Sequence, residues 1–248
     1  RSAQDDGRGE GLRIALLYNL ASNAPALSGD APPDSLDELD SQKNVEAYAA
    51  ALRAAGHTVF PMEGDAALPS RLKRNKIDIC FNTCEGYRGD SREAQVPALL
   101  EMLGVPYTAA RVLGLALTLE KAMTKRVLAY HGLPTPRFQE FFTPDDSLDP
   151  TLRFPLFLKP NREGTGKGIT SKSIVNDEAE LREYVAYLIK HYHQSVLVEQ
   201  YVDGRDLTCG LVGNLEPKAI NAPIPLAAMV PRDGQTGVDY AGVHFFPI

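Results

Sequence analysis

Residues Phe154 to Gly168 read FPLFLKPNREGTGKG, and the order of these residues constrains the rest of the chain. The apolar run Phe154, Leu156, Phe157 and Leu158 has the length and character of a buried strand. Lys159 stands at its end, just before Pro160, which cannot donate to a further ladder rung. A strand thus carries a cation to its mouth, where it suits a phosphate. Gly164, Gly166 and Gly168 follow on alternate positions, so backbone N–H groups can approach an anion without an intervening Cβ. Such a loop is expected to fold over a polyphosphate. The stretch ITSKSIV after it is β-branched and strand-like, which predicts a strand–turn–strand flap.

Two other glycine-rich phosphate loops do not match. A P-loop requires Gly five residues before its Gly-Lys pair and Ser or Thr after it; those places hold Asn161 and Gly168. A dinucleotide fingerprint opens a helix, whereas a strand is expected here. On this loop alone, an ordinary hairpin turn with a surface lysine stays open as the alternative.

The 248 residues, 44% of them hydrophobic, can bury a core and suggest two compact units. A net charge of -6 and a pI near 5.4 provide no long-range attraction to nucleic acid or anionic membrane. Neither a membrane-span-length apolar run nor a signal peptide is visible. Cys80, Cys84 and Cys209 are odd in number and lack metal-type spacing, so free thiols in a reducing, cytoplasmic compartment are expected. Position 1 is Arg, and RSAQDDGRGEG is read as a processed, trimmed or tag-derived end.

In chain order, Leu12–Tyr18 is continuously apolar, as for a central parallel strand covered on both faces. Leu20–Asp40, rich in Ala, Pro, Ser and Asp, is expected to be a mobile loop. A helix over Val45–Ala55, capped by Gly56, a strand HTVFPM, a short helix Leu68–Arg74 and a strand IDICFN complete a β-α-β-α-β pattern and predict a doubly wound parallel sheet. FNTCEGYRGDSREAQ then lies at the carboxyl end of the third strand, where open α/β sheets place ligands. Glu85, Gly86 and Asp90 are the candidates there, with a solvated loop as the alternative. VPALLEMLG predicts a helix and VPYT a short strand. Ala116–His131 predicts one helix with Lys121 and Lys125 on one face. Asp177 and Glu180 predict a capping box for a helix whose stripe is Leu181, Tyr184, Val185, Leu188, Ile189 and Tyr192. His191 and His193 are read as surface residues. SVLVEQYV is a buried strand interrupted by Glu199, a carboxylate that needs a partner to offset desolvation. Beyond Asp203-Gly204 the chain is expected to turn back as DLTCGLVG, leaving Glu199 and Asp206 on either side.

FNTCEG, LLEMLGVPYT, LEKAMTKRVLAYHGLPTP, FPLFLKPNREGTGKGI and VLVEQYVDGRDLT, in this order and spacing, resemble the ATP-grasp superfamily and its D-alanine–D-alanine ligase branch. The resemblance spans roughly Ile77 to Gly213. It implies an amino-terminal α/β (pre-ATP-grasp) domain over 1–115, an α+β ATP-grasp lid over 116–213, and the incomplete start of a carboxyl-terminal subdomain over 214–248.

By the same resemblance, Lys121 and Lys159 contact the phosphates of ATP, and the flap Glu163, Gly164, Thr165, Gly166, Lys167 and Gly168 covers them. Lys159, Thr165 and Gly166 take the catalytic positions. Glu199, Gln200 and Val202 read adenine and Asp206 reads the ribose. Glu85, Gly86 and Asp90 face the substrate. The implied reaction activates a carboxylate to an acyl phosphate, which an amine converts to an amide, releasing ADP. The partners implied are ATP, Mg2+ and small amino-acid-like substrates, and a homodimer is carried as an expectation. A non-catalytic ATP-binding module and an ATP-dependent kinase of a small carboxylate or hydroxyl remain alternatives.

Several departures stand out. Glu85-Gly86 replaces the family's His-Gly, and Thr165-Gly166 replaces its Ser-Ser pair. The first strand runs into LYNLASN in place of a glycine-rich turn and following Glu, and Asp206 is shorter than the usual Glu. The family's carboxyl-terminal magnesium ligands have no counterpart cluster before Ile248, which is read as a fragment of a longer protein or a lost activity.

Overall fold

The computed structural model describes residues 11–27, 29–214, 237–240 and 242–246. The chain divides into two compact units, one running to Tyr201 and the other beginning at Val202.

In the first unit, β1 (Arg13–Tyr18) is followed by α1 (Gln42–Ala54), β2 (Thr58–Glu63), α2 (Leu68–Asn75), β3 (Ile79–Asn82) and α3 (Gln95–Leu103). β1 lies between β2 and β3, parallel to both. Successive side chains of a strand point to opposite faces, and both faces of β1 are used. Leu16 packs with Val45 and Ala49 of α1, whereas Ala15 and Leu17 pack with Leu68, Leu72 and Leu100 of α2 and α3. The continuous apolar run of β1 is explained by this two-sided cover. Ser41 caps α1 by accepting from Asn44 N at 3.2 Å, and α3 ends at Gly104 with φ 66°, a left-handed C-cap that glycine adopts without a Cβ penalty. The expected strand VPYT contracts to a single parallel bridge between Tyr107 and Cys80.

The chain continues through α4 (Val112–Leu119), α5 (Lys121–Tyr130), β4 (Phe138–Phe141), β5 (Leu156–Pro160), β6 (Ile174–Val175), α6 (Glu178–Tyr192) and β7 (Val196–Gln200). These strands form an antiparallel sheet in the order β4-β7-β5-β6. The apolar stripe of α6 covers one face: Leu181, Tyr184, Val185 and Leu188 pack on Leu156, Leu158, Val175, Val196 and Val198. Asp177 caps α6 at Glu180 N, 2.9 Å away. The Glu180 carboxylate instead accepts from Asn176 N at 2.7 Å, one residue upstream of the predicted box.

The structure corrects the sequence reading in four places. The helix expected over Ala116–His131 breaks at Glu120, whose φ of -87° and ψ of 93° are extended and whose side chain caps α5. The break is held by Asn161, whose O and Oδ1 accept from Lys121 N and Ala122 N at 3.0 and 2.8 Å. Second, ITSKSIV is a strand only at its last two residues. Ser171–Ser173 form a 3-10 turn, because the Ser173 hydroxyl accepts from Thr170 N and the Thr170 hydroxyl accepts from Lys172 N, in competition with the sheet ladder. Third, Leu20–Asp40 is pinned rather than mobile: Leu20 bridges to Asp40, and Asp34 and Glu38 accept flap amide protons. Its polar composition serves another segment of the chain. Fourth, of the expected returning stretch DLTCGLVG only Leu211–Gly213 is a strand.

The second unit holds β8 (Leu211–Gly213), β9 (Val238–Tyr240) and β10 (Val243–Phe245), an antiparallel sheet in the order β8-β10-β9. Most of the Pro223–Ile248 tail lies outside the described residues. No helix among the described residues is long and apolar enough to cross a membrane.

Candidate functional site

The face of the β4-β7-β5-β6 sheet opposite α6 carries charge. Leu156 and Leu158 point into the α6 core, so the alternation of β5 sends Phe157 and Lys159 to the other face. Phe157 pairs with Glu199 of β7, which places Lys159 diagonal to that carboxylate and within side-chain reach. Lys159 Nζ donates to Glu199 Oε1 at 2.6 Å. The other oxygen is taken from α5: Lys125 Nζ donates to Glu199 Oε2 at 2.7 Å and to Thr135 Oγ1 at 2.7 Å. Both ammonium groups also lie over aromatic rings, Lys125 5.2 Å from the Phe138 centroid and Lys159 5.4 Å from that of Phe157. Burial alone would raise the Glu199 carboxyl, but the Lys159 charge and the two lysine hydrogen bonds outweigh it and hold the group below the usual range.

Lys121, the first residue of α5, sends Nζ to the Glu163 carbonyl oxygen. Its pKa is pulled down by burial and then by the neighbouring Lys159 charge. Two cations thus converge where the flap leaves β5.

The flap itself is wired to the amino-terminal sheet's loops. Glu163 Oε2 accepts from Lys167 Nζ at 2.5 Å and Arg92 at 3.2 Å, and its Oε1 accepts from Gln194 at 2.7 Å. Arg92 also donates to Glu38 at 2.8 Å and to the Arg162 carbonyl at 2.9 Å. Lys167 is 3.3 Å from Glu38. The Gly164 amide donates to Glu38 and the Gly168 amide to Asp34 Oδ2, the latter at 2.7 Å. Two amides expected to face phosphate oxygens therefore meet carboxylate oxygens here. Thr165 and Gly166 form the exposed tip, both with positive φ of 50° and 76°. A Cβ on Gly168 would lie 2.5 Å from Pro160 Cγ, so close approach of flap to strand requires glycine there.

Of the substrate-side candidates, Gly86 has a structural reason. Its φ is 73°, its amide donates to Asn19 Oδ1 at 2.9 Å, and a Cβ would stand 2.6 Å from Arg92 O. Glu85 is half-buried, and its pKa is pushed up to about 7, by burial first and then by Glu93 and Glu38. Asp90 is exposed and 3.5 Å from Arg162 Nη2, a pair of small energetic weight. A cavity of about 370 Å³ beside the flap is lined by Leu27, Leu36, Glu38, Gly86, Tyr87 and Arg92, among others.

Gln200 is committed to the β5 entry, donating to Arg153 O and Pro155 O at 2.8 and 3.1 Å. Val202 and Asp206 belong to the second unit and are exposed. Cys80, Cys84 and Cys209 are all unpaired; burial pushes the Cys80 thiol up to about 12 and that of Cys84 higher still, which suits core residues and not nucleophiles. His191 Nδ1 lies 3.2 Å from Asp30 O, 161 residues away in the chain.

Sequence reasoning missed Glu38 and Arg92 because they lie far from the flap in the chain. It noticed Lys125 only as a helical neighbour of Lys121, although an unpaired Glu199 in an apolar run was a signal that a buried cation was needed. Among the described residues, no group of three or more His, Cys, Asp or Glu side chains could hold a metal ion.

Residues 127–225 match the protein family described as D-ala D-ala ligase C-terminus. The chain is 35% identical over 195 residues to the D-alanine--D-alanine ligase of Aquifex aeolicus, covering 78% of this chain and 62% of that one. It is 34% identical over 218 residues to the uncharacterized protein y4sG of Sinorhizobium fredii, covering 84% and 64%. Among solved structures, the D-alanine--D-alanine ligase from Bacillus anthracis complexed with ATP superposes with a TM-score of 0.54 at 23% identity, covering 82% of this chain and 62% of that chain. The chain spans less than two thirds of the length of each of these relatives.

Proposed function

We propose, from the premise that this is a D-alanine–D-alanine ligase-like chain with the α/β ATP-grasp fold, that it holds the nucleotide in an ATP-dependent carboxylate–amine ligase that releases ADP. The observation that carries the proposal is the convergence of Lys121 and Lys159 at the root of a glycine-rich flap, with Lys125 already compensating Glu199.

A triphosphate needs cations and N–H donors that are in place before it arrives, since phosphoryl transfer is promoted by positioning and electrostatic stabilisation. ATP, when bound, supplies the phosphoryl group that activates a substrate carboxylate. Lys159 and Lys121 bind and orient the phosphates from the strand side. The amides of Gly164 and Gly168 meet them from the flap side once released from Glu38 and Asp34. Glu199, held by two lysines, presents a fixed carboxylate edge for the adenine amino group. Glu85 suits a substrate ammonium, whose charge would favour the ionised carboxylate. The cavity beside Gly86 and Arg92 has room for an amino-acid-sized molecule. The flap excludes water, which would otherwise hydrolyse an acyl phosphate. The unpaired thiols support a reducing, cytosolic setting.

Incubating the protein with ATP, magnesium and a panel of amino acids, and scoring ADP and coupled products by mass, tests the reaction class. ADP release stimulated by particular amino acids together with an amide product is expected. ADP release indifferent to every amino acid argues against a ligase, and a phosphorylated product that accumulates without any amine points to a kinase. Lys159→Ala is expected to weaken ATP binding while leaving the circular dichroism spectrum unchanged; an unaltered ATP affinity removes that lysine from the site.

A further inference from the structure

Two cations share one carboxylate in the sheet face described above. Glu199 gives one oxygen to Lys159 and the other to Lys125, and both Glu199 and Lys125 are buried. Had Lys159 been the sole partner of Glu199, the pair would be neutral, and the lysine at the strand mouth would offer little field to an anion. Lys125 comes from a different element, α5, and its remaining hydrogen bond goes to the neutral Thr135 hydroxyl. The triad therefore keeps one uncompensated positive charge. Of its two ammonium groups, that of Lys159 is the less buried. A buried cation with a carboxylate partner is costly to desolvate and is weak evidence for stability as such, so its placement invites a functional account.

We infer that Lys125 is a positioning residue for polyphosphate binding: it neutralises Glu199 and fixes its orientation, so that the charge of Lys159 remains available to the phosphate chain of a nucleotide. The inference rests on the nucleotide reading of the site and adds that phosphate affinity is set by the net charge of the Lys125–Glu199–Lys159 triad, not by Lys159 alone.

The test is the ratio of ADP to adenosine affinity, measured by titration calorimetry on the full chain. A ratio cancels whatever Glu199 does for the base, because both ligands carry the same base. Relative to wild type, Lys125→Met is expected to lower the ratio at least about tenfold, on the scale of one unit charge a short distance from a phosphate in a partly desolvated site. Lys125→Arg is expected to retain it. Glu199→Gln, which adds net positive charge, is expected to raise it, and the double variant Lys125→Met with Glu199→Gln to return it toward the wild-type value. A solely structural role for Lys125 would lower affinity for ADP and adenosine alike and leave the ratio where it was, which overturns the inference. Failure of Glu199→Gln to restore the ratio in the Lys125→Met background overturns it equally. If Lys125→Met does not fold, the comparison of Glu199→Gln, Lys125→Arg and the double variant decides by the same order of ratios. A wild-type chain that binds neither ligand refutes the nucleotide site itself, whereas binding with an unmoved ratio refutes only the role of Lys125.

Discussion

Replacing Arg92 by Met removes the cation that joins the loops of the amino-terminal sheet to the flap. Arg92, Glu38, Glu163 and Lys167 side chains are 11%, 4%, 12% and 10% exposed, and Arg92 serves both carboxylates and the Arg162 carbonyl. Taking one partner from a buried ion pair costs about 3–5 kcal/mol, because the charges left behind remain desolvated. Glu38 would keep Lys167 at 3.3 Å and the Gly164 amide, and Glu163 would keep Lys167 at 2.5 Å. One lysine would then serve two carboxylates, so the lower end, about 3 kcal/mol, is expected. For a chain of this size that is a fall in Tm of about 6–12 °C. The effect depends on pH in a stated direction. Burial alone would raise the Glu38 carboxyl, but Arg92 and then Lys167 hold it below its ordinary value. A carboxyl with a depressed native pKa contributes stability that is present above its unfolded pKa and lost as pH falls through the native one. The gap between wild type and Arg92→Met should therefore be full at neutral pH and narrow in acid. Urea unfolding at both pH values, followed by circular dichroism, measures it. A neutral-pH difference below about 1 kcal/mol, the range of an exposed pair, or a gap that does not narrow in acid, would refute the buried network.

Three further outcomes are expected. Glu85, with its native pKa pushed up to about 7 against an ordinary 4.5, contributes stability at low pH that is lost as pH rises through 7; Glu85→Gln should flatten the Tm–pH profile over that window and be the more stable form at alkaline pH, and parallel profiles would count against the assignment. Gly86→Ala should destabilise by at least about 1–2 kcal/mol from left-handed backbone geometry, with the 2.6 Å approach to Arg92 O adding to it; a neutral substitution in thermal melts would mean the turn is not held as described. Asp34→Ala removes the acceptor of the Gly168 amide and of the Tyr192 hydroxyl at 2.8 Å, so hydrogen exchange at Gly168 should quicken while that of α6 backbone amides in the core stays slow. Unchanged exchange at Gly168 would show that the 34–38 segment does not hold the flap.

Periodicity and punctuation determined much of this protein. The apolar run of β1, the glycine after α3, the stripe of α6 and the Lys159–Pro160 strand end are local features, legible because each depends on neighbours within a few residues. The lysine at a strand mouth before a glycine-rich flap was likewise readable, as was the need of Glu199 for a partner. Tertiary structure alone decided who that partner is. Register across β5 and β7 brought Lys159 diagonal to Glu199, and the break at Glu120, set by Asn161 41 residues later, started the helix that delivers Lys125. The 34–38 segment shows the same limit: its composition predicts a chain unable to bury itself, yet Asp34 and Glu38 are ordered by flap amides more than 120 residues away. Long-range ion pairs and backbone donors leave no period in a sequence, because what they require is a complementary group in space, supplied by whichever segment the fold happens to bring there.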